Sequence, residues 1–420
     1  MGRTPFGQEG PEVSYLRSDW LADLGFLEET ITLWWAGRDR HADSDGANPA
    51  AVFSALRTVD PAGDLWAGAR ALRDGLWALG DCHLRLAPSV MGAETAWLSG
   101  LAFAPTPEGP VLLWADPAIS AYRAASVGDL LTAIDGVPAE KVLASLRLRP
   151  GSTPRQRYLF ALQSLSHRDC LPGESPLPRR LSLTDARRRD LTFAPDWRVQ
   201  DPAAPPPPAV RARRIDDRTG LIAMRSFACR DRTGQISDAE MARQLDAAFA
   251  GLAGCDRLVI DLRGNGGGRD EQARMLAAKL TGAPLVWMRH AHPAPYGGQL
   301  GRFEDLILAP TATPQPARLR LLIDAGTAST AEICVAALAA LPGTVLVGSP
   351  SGGAVGDPVE FRLPRSLLGV FVPVARYARP GTDAPIEGAG LVPDIETAPG
   401  AFDLREGRDP VLDAALASFD

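Results

Sequence analysis

The first segment whose residue types suggest chemistry is a glycine-rich loop after the apolar run RLVIDL. The loop contains Gly264, Asn265, Gly266, Gly267 and Gly268. Glycines at a strand-to-helix turn let backbone N–H groups point at a ligand or at a developing negative charge without obstruction by side chains. The loop is therefore predicted to form an oxyanion hole or an anion nest. An ordinary flexible turn is the alternative.

A serine stands at the next strand-to-helix turn, in the segment LLIDAGTASTAEICVAALAAL. The strand is predicted to end at Asp324 and a helix to begin near Ser329. A serine at the positive end of a helix is placed as a nucleophile requires. The same residue also forms the pattern Ser329-x-x-Glu332, a capping box in which the hydroxyl would only accept a backbone hydrogen bond. The local sequence leaves both interpretations open.

Few residues could act as the base for such a serine, because the chain has five histidines and only two lysines, Lys141 and Lys279. His83 lies in GDCHLRL, a predicted short strand, on which the neighbouring Cys82 should point to the opposite face. A thiol–imidazole pair is therefore not expected. Glu387, in a loop flanked by glycine turns, is relevant to catalysis only if the fold brings it back to His83.

The sequence offers little support for a metal or a bound cofactor. His290 and His292 form an H-x-H pair on a predicted strand and would share one face, but no third ligand stands at a familiar spacing. The glycine loop lacks the Lys-Ser/Thr pair of a P-loop, and Arg269 replaces the last glycine of G-x-G-x-x-G. No metal, no nucleotide and no other cofactor is predicted.

The elements predicted to position these residues fall into five segments. These are a mainly helical region (1–94, with helices over 14–37 and 61–79 and a strand over 81–86), a β-rich module (95–147), a connecting helix and hairpin (148–200), a proline-rich spacer (201–210) and an α/β core (211–420). In the core, strands are predicted over 220–227, 257–262, 318–325 and 343–348, and helices over 235–253, 269–281 and 328–341. This alternation indicates a largely parallel sheet, with active-site groups at the carboxyl ends of its strands.

The composition limits the function classes. The 420 residues include 44 Lys and Arg against 50 Asp and Glu, a net charge of −6, so no positive field favours nucleic acid. The five cysteines are scattered and form no C-x-x-C pair, which favours a reducing compartment over a disulfide framework. No signal-like segment or long apolar stretch is visible, and a cytoplasmic protein without membrane partners is expected.

Four motifs together give the sequence a family resemblance. VIDLRGNGGG, GTASTAEI, VGSPSGG and IEGAGLVPDI follow the order and approximate spacing of the tail-specific, or carboxyl-terminal processing, serine peptidases. The resemblance covers about residues 220–396 and implies a crotonase-like (ClpP-like) catalytic core. The segment ASVGDLLTAIDGVPAEKVL resembles the second half of a PDZ domain. By that resemblance SGLAF stands in the place of its carboxylate-binding loop, which would be formed by Gly100, Leu101 and Ala102.

The resemblance also implies roles for individual residues. The Ser–Lys branch of the family has a catalytic lysine where this chain has Ala354. The sequence is more similar to a second branch, which contains the tricorn core and the retinoid-binding-protein-like members. In that branch the base is a histidine. Carried over by position, Ser329 would be the nucleophile, His83 the general base and Glu387 the orienting carboxylate. The oxyanion hole would be formed by the backbone of Thr330 with one N–H from Gly266, Gly267 or Gly268.

One residue departs from that pattern. Cys82 stands where the tricorn-like members have a serine that relays to the glutamate, and a thiol is the weaker hydrogen-bond donor. The sequence predicts a serine peptidase that acts on peptides or peptide-like amides through an acyl-enzyme, with its oligomeric state undetermined. Two alternatives remain: a hydrolase or acyl-transfer enzyme for a small ester, thioester or non-standard peptide, and an inactive binding protein with the same fold.

Overall fold

The computed structural model describes residues 15–38, 48–61, 63–87, 95–145, 151–200, 207–293, 300–311 and 318–420. Within these ranges the α-helices are α1 (Arg17–Trp34), α2 (Pro49–Thr58), α3 (Leu65–Ala78), α4 (Ala139–Ser145), α5 (Pro154–Gln163), α6 (Asp238–Gly251), α7 (Asp270–Ala278), α8 (Thr330–Ala339), α9 (Ala401–Arg405) and α10 (Pro410–Ala417). A short 3₁₀ helix covers Ser120–Tyr122.

The strands, in the same ranges and in chain order, are β1 (Arg85–Leu86), β2 (Thr95–Leu98), β3 (Leu101–Thr106), β4 (Gly109–Ala115), β5 (Leu130–Ile134), β6 (Val137–Pro138), β7 (His167–Cys170), β8 (Leu181–Thr184), β9 (Asp190–Phe193), β10 (Arg198–Val199), β11 (Val210–Arg214), β12 (Thr219–Met224), β13 (Arg257–Asp261), β14 (Leu285–Ala291), β15 (Glu304–Leu308), β16 (Arg318–Ile323), β17 (Val345–Gly348), β18 (Pro358–Arg362), β19 (Gly369–Pro373), β20 (Arg376–Ala378) and β21 (Ile395–Glu396).

The carboxyl-terminal half is built on a six-stranded sheet with the order β11-β12-β13-β16-β17-β21. The β11–β12 pair is antiparallel and the other four pairs are parallel, so the predicted alternating α/β pattern is confirmed. Strand β13 leads into the glycine loop and its neighbour β16 leads towards Ser329. Because parallel strands end at the same edge of a sheet, the two segments are brought together there.

Both faces of this sheet are covered. On one face, α6, α7 and α8 bury Leu245, Leu276 and Val335 in one cluster with Ile260 of β13. On the other, Phe419, just after α10, packs with Val259 and other residues of the sheet. Successive residues of a strand point to opposite faces of the sheet. Because both faces are buried, these strands have apolar residues at consecutive positions in the sequence.

The helical region shares its core with the carboxyl-terminal half. Trp20 and Leu72, from α1 and α3, are fully buried in a cluster that includes Val370 and Val372 of β19. Strand β1 pairs antiparallel with β19. The described residues of the predicted region 1–94 therefore share one hydrophobic core with β19 of the carboxyl-terminal half. Among the described residues, no helix combines the length and the apolar content needed to cross a bilayer.

Two local predictions in this region were wrong. The helix expected to start at Pro61 begins at Leu65, because the Asp64 carboxylate caps it by accepting the N–H groups of Trp66 and Ala67 at 3.0 and 3.1 Å. The strand expected over 81–86 is limited to β1, since Cys82 and His83 lie in a turn.

The β-rich module extends beyond its predicted end at residue 147. Strands β8 and β9 form a hairpin that continues the sheet of β3, β4 and β5, and Ala161 and Leu162 of α5 lie in the same hydrophobic cluster as Leu101 and Phe103. The helix and hairpin expected to connect two domains thus belong to this module. Of the predicted spacer, residues 201–206 lie outside the described residues, and β11 already begins at Val210.

Candidate active site

Ser329 occupies a strained turn between β16 and α8. Its backbone has φ 57° and ψ −132°, a region that a residue with a side chain rarely adopts. Its side chain makes no capping hydrogen bond, so the capping interpretation of Ser329 was wrong. The backbone N–H of Ser329 instead donates to the carbonyl of Ala354 at 2.6 Å. Strain of this kind is found where a fold holds a reactive side chain in a fixed position.

The glycine loop lies directly against this turn. Gly267 has φ +93°, and a Cβ on it would lie 2.9 Å from the carbonyl oxygen of Ala328 and 3.0 Å from the nitrogen of Thr330. The Thr330 hydroxyl donates to the carbonyl of Gly268 at 2.9 Å. The two segments, far apart in the chain, are therefore in van der Waals contact beside Ser329.

Three of the four predicted oxyanion donors have N–H groups that are unused within the described residues. Those of Thr330, Gly266 and Gly268 donate to no described acceptor, and Thr330 is the first residue of α8, where helices leave N–H groups unpaired. The N–H of Gly267 donates to Asn265 Oδ1 at 2.9 Å. Gly266 and Gly268 are therefore the remaining candidate donors of the glycine loop, and the lack of a side chain on Gly267 permits the close approach to Ser329.

His83 enters the site from the amino-terminal region because β1 pairs with β19. Asp81 fixes the turn, since one carboxylate oxygen accepts the His83 N–H at 2.9 Å and the other accepts the Trp35 indole N–H at 2.8 Å. The half-buried His83 ring lies beside Gly356, where a Cβ would be 3.6 Å from Nδ1. His83 and Ser329 line one cavity of about 810 Å³.

Cys82 lies next to the imidazole, although the sequence predicted the opposite. Its Sγ is 3.5 Å from His83 Nδ1 and 3.7 Å from the Ser152 hydroxyl oxygen. The prediction assumed an extended strand, whereas a turn places the two neighbouring side chains on the same side. The role of Cys82 as a relay to His83 stays a prediction.

Glu387 contacts the loop behind the cavity. The side chain is 9% exposed and its Oε2 accepts the N–H of Val355 at 2.5 Å. Val355, with Ala354 and Gly356, lines the cavity, while Glu387 is not among the described lining residues. The role of Glu387 as the carboxylate that orients His83 stays a prediction.

Glu332 is the site residue that the sequence analysis misinterpreted. Its carboxylate is fully buried and accepts the Ser351 hydroxyl and the N–H groups of Gly353 and Ala354, both at 2.8 Å. Burial raises the pKa of Glu332 to about 7, although these donors oppose the shift. The Ser-x-x-Glu spacing drew attention to Glu332 as part of a helix cap. Its carboxylate instead accepts hydrogen bonds from the SGGA segment (351–354), in which the Ala354 carbonyl accepts the Ser329 N–H.

Neither lysine is near this site. Lys141 and Lys279 do not line the cavity, and the Lys279 ammonium lies 2.6 Å from the Asp246 carboxylate and over the ring of Phe249. Ala354, at the place of the family's catalytic lysine, is buried and borders the cavity.

The predicted carboxylate-binding loop lies elsewhere in the module. Gly100 has φ +71° and packs against Ile119, and the N–H of Leu101 donates to the Ser99 hydroxyl oxygen at 3.2 Å. Ala102 pairs with Trp114 of β4. Gly100, Leu101 and Ala102 do not line the cavity of Ser329, as far as the described residues define it. Their binding of a substrate carboxylate stays a prediction.

Two histidine-containing groups have ligand-type side chains. His290 and His292 do share one face, with ring centroids 5.1 Å apart, and both line the cavity. In the described part of the chain, the group of three close ligand atoms is Asp81, Cys82 and His83. The two carboxylate oxygens of Asp81 accept hydrogen bonds from Trp35 and His83, respectively.

Sequence comparison relates the carboxyl-terminal half to known proteins. Residues 218–397 match the model of "Peptidase family S41". "Putative tricorn protease homolog 2" of Streptomyces coelicolor is 31% identical over 163 residues, which are 38% of this chain and 12% of that protein. The chain thus spans only a small part of the length of this curated relative.

Structural comparison extends the likeness to the rest of the chain. The crystal structure of mature CPAF covers 95% of this chain and 96% of its own, with a TM-score of 0.75 and 18% identity. The photosystem II D1 C-terminal processing protease covers 90% of this chain and 93% of its own, with a TM-score of 0.50 and 20% identity. At these identities the likeness establishes a common fold.

Proposed function

We propose that the whole chain, whose residues 218–397 match the model of peptidase family S41, hydrolyses peptide amide bonds as a serine-type peptidase, with Ser329 as nucleophile and His83 as general base. The observation that carries this proposal is the strained, uncapped Ser329, which lies against a glycine loop with unused N–H groups and shares a cavity with His83. A serine, a base and preorganised donors are what acyl transfer requires.

The reaction would proceed through an acyl-enzyme. His83 accepts the Ser329 proton as Oγ attacks the substrate carbonyl, and the N–H groups of Thr330 and of Gly268 or Gly266 stabilise the resulting oxyanion. The C–N bond then breaks, and His83 returns the proton to the leaving amine. A water molecule, activated by the same imidazole, releases the acyl group and restores Ser329.

The surrounding residues would act by positioning this pair. Cys82, 3.5 Å from Nδ1, is placed to hold the imidazole ring. Glu332 fixes the segment whose Ala354 carbonyl accepts the Ser329 N–H. Glu387 would stabilise the His83 imidazolium by its negative charge. It would act from behind the cavity wall, where its carboxylate accepts the N–H of Val355.

We also propose the finer assignment of the two modules. The parallel strands β12, β13, β16 and β17, with helices on both faces, suit a crotonase-like core. The sheet of β3, β4, β5, β8 and β9, with α5 packed on it, suits a PDZ-like module that holds the substrate carboxyl terminus. The five cysteines are all free, in keeping with the proposed reducing, cytoplasmic location.

The proposal is tested by exposing a complex peptide mixture to the full chain and to Ser329→Ala. New amino termini, detected by amine labelling and mass spectrometry, should form with the wild type and not with the variant. Equal cleavage by both would contradict the assignment of Ser329. If no termini form while Ser329 still reacts with a fluorophosphonate, the small-ester or non-standard-peptide alternative is favoured. If neither reaction occurs, the binding-protein alternative is favoured.

A further inference from the structure

The cavity of Ser329 and His83 continues into a part whose walls carry hydrogen-bond acceptors. Asp270 begins α7, His290 lies on β14, Asp357 precedes β18 and Tyr377 lies on β20. His290 and Tyr377 are direct partners in the β14–β20 ladder. All four residues line the cavity, and we call this part the acidic recess.

The two carboxylates of the acidic recess have no cationic partner among the described residues. Asp270 accepts the Trp287 indole N–H at 2.8 Å, and neither Asp270 nor Asp357 takes part in a described ion pair. Burial raises the pKa of Asp270; the Trp287 hydrogen bond and the charge of Arg274 oppose this shift, while the charges of Glu271 and Asp357 add to it. Two such carboxylates in one cavity favour the binding of a cation.

The other two members of the acidic recess are also unsatisfied. Tyr377 is 8% exposed, and its hydroxyl makes no hydrogen bond to a described residue, although its oxygen is not one of the fully buried unpaired atoms. Burial, followed by the charges of Asp357 and Asp270, raises the Tyr377 pKa. The Nδ1 of His290 is buried without a described partner, and burial, followed by the charge of His292, lowers the pKa of the ring, while Glu304 and Asp357 oppose the shift. A buried polar atom without a partner is uncommon, and a ligand with a donor group would satisfy the Nδ1 of His290.

Apolar side chains line the same cavity as Ser329 and the acidic recess. Ile333 follows Ser329 by one turn of α8, and Met288 precedes His290 on the same face of β14; both are buried and line the cavity. A cavity with apolar walls and a group of hydrogen-bond acceptors suits a ligand side chain that has a methylene stem and a charged tip.

The position of the acidic recess relative to the oxyanion donors identifies the substrate residue it would hold. Asp270 follows Gly268 by two residues at the start of α7, and Ile333 follows Thr330 within the first turn of α8. The side chain of the residue that supplies the attacked carbonyl (P1) branches one bond from that carbonyl. It would therefore extend between the starts of these two helices.

We propose that the acidic recess is the P1 pocket and selects lysine or arginine, so that the enzyme cleaves after basic residues. The stem packs on Met288 and Ile333, and the cation donates to Asp270, Asp357, the Tyr377 hydroxyl and the neutral His290. Arg85, the cationic side chain among the described lining residues, lies two residues from His83 on β1. This inference rests on the proposed peptidase function.

The test uses two peptidyl diphenyl phosphonates that differ only at P1, one with lysine and one with norleucine, which has the same carbon chain without the ammonium group. Ser329 Oγ attacks phosphorus, a P–O bond to the enzyme forms, and the P–O bond to phenoxide breaks; the Ser329 proton leaves with the phenol. Intact-mass spectrometry gives the second-order rate constant for each probe. With the full-length wild type, the rate constant of the lysine probe should be at least ~10-fold higher than that of the norleucine probe. A tenfold ratio is what the attraction between the ammonium group and one carboxylate is expected to give.

Two conservative variants assign the preference to the acidic recess. Asp270→Asn keeps an oxygen for the Trp287 indole, and Asp357→Asn alters an exposed residue, so both are expected to fold. Each should lower the lysine-to-norleucine ratio severalfold, and the double variant should bring it near one. Asp246→Asn, which removes the partner of Lys279 outside the cavity, is the matched control and should keep the wild-type ratio.

The outcomes separate this inference from the proposed function. A wild-type ratio of one or less, or reaction of Ser329 with a fluorophosphonate but with neither peptidyl probe, overturns the basic P1 pocket and leaves the serine hydrolase standing. A lysine preference that survives in the double variant also overturns it, because other groups must then hold the cation. Failure of Ser329 to react with any of these reagents overturns both the basic P1 pocket and the proposed peptidase function.

Discussion

A Cβ atom placed on Gly267 would lie 2.7 Å from the Cβ of Ser329, closer than two side chains can approach. This relationship joins the ends of two parallel strands, β13 and β16, into one site. It places the unused N–H groups of the glycine loop beside the serine that opens α8. The reactivity of Ser329 should therefore depend on the absence of a side chain at position 267.

Gly267→Ala should abolish peptidase activity and lower stability. The new methyl group would clash with Ser329 at a position whose φ of +93° already disfavours alanine, so the turn that holds the nucleophile must move. We expect a loss in kcat of at least ~100-fold and a loss in the free energy of unfolding of about 1–3 kcal/mol. Steady-state kinetics and denaturant unfolding measure both.

Gly25→Ala is the control for this experiment. Gly25 lies within α1, far from the site, and a Cβ there meets no atom within 4 Å. Activity should be unchanged, and stability should rise by up to ~1 kcal/mol because alanine is the better helix former. Full activity of Gly267→Ala would show that the oxyanion loop is not where we place it.

The buried carboxyl group of Glu332 should make stability fall with rising pH. Its pKa is raised from 4.5 to about 7, so between these values the folded protein binds more protons than the unfolded chain. The free energy of unfolding then decreases as pH rises through this interval: the contribution is complete below the lower value and lost above the upper one. The full effect is about 3 kcal/mol. Urea unfolding at pH 5 and pH 7.5 measures it.

Glu332→Gln should remove this pH dependence. A glutamine cannot titrate, and it offers one oxygen where the carboxylate accepts three donors, so its amide group would face the N–H groups of the 353–354 segment. We expect a loss of about 1–3 kcal/mol at pH 5. An identical pH slope in wild type and variant would rule out Glu332 as its source.

The core elements around the site could be predicted because their signals are local. Strands β13 and β16 are apolar on both faces and lead directly into glycine or serine turns, so the predictions over 257–262 and 318–325 were correct to within two residues. Ser329 and the glycine loop follow from these strands, since parallel neighbours end at one edge of the sheet.

The remaining features depend on contacts between distant parts of the chain. His83 reaches the cavity only because β1 pairs with β19, and a two-residue strand gives no signal in the sequence. The carboxylate of Glu332 has the spacing of a capping box, and nothing local reveals that it turns to Ser351 instead. The acidic recess combines α7, β14, β20 and the loop before β18, which no local pattern connects.

Substitutions of Cys82 should reveal whether it orients the base. Cys82→Ser replaces the thiol by a stronger hydrogen-bonding group, and kcat/KM should be equal to or up to ~10-fold above that of the wild type. Cys82→Ala removes the contact of 3.5 Å to Nδ1, and kcat/KM should fall about tenfold. If the alanine variant keeps full activity, Cys82 only fills space beside the imidazole.

The identity of the base can be settled with three alanine variants. His83→Ala should lower kcat/KM nearly as much as Ser329→Ala, by roughly 10⁴–10⁶-fold, because members of one catalytic unit fail together. Lys279→Ala and Lys141→Ala should stay active, since neither lysine lines the cavity and Lys279 pairs with Asp246. An active His83→Ala together with an inactive Lys279→Ala would reverse the assignment.

The most direct test of the account is the reaction of the full-length protein with a fluorophosphonate, followed by digestion and mass mapping of the modified residue. We expect one equivalent of probe on Ser329 in the wild type, and labelling slowed by at least ~1,000-fold in His83→Ala, because the hydroxyl is a weak nucleophile without its base. Labelling of a different serine, or labelling of Ser329 at the same rate without His83, would contradict the Ser329–His83 mechanism.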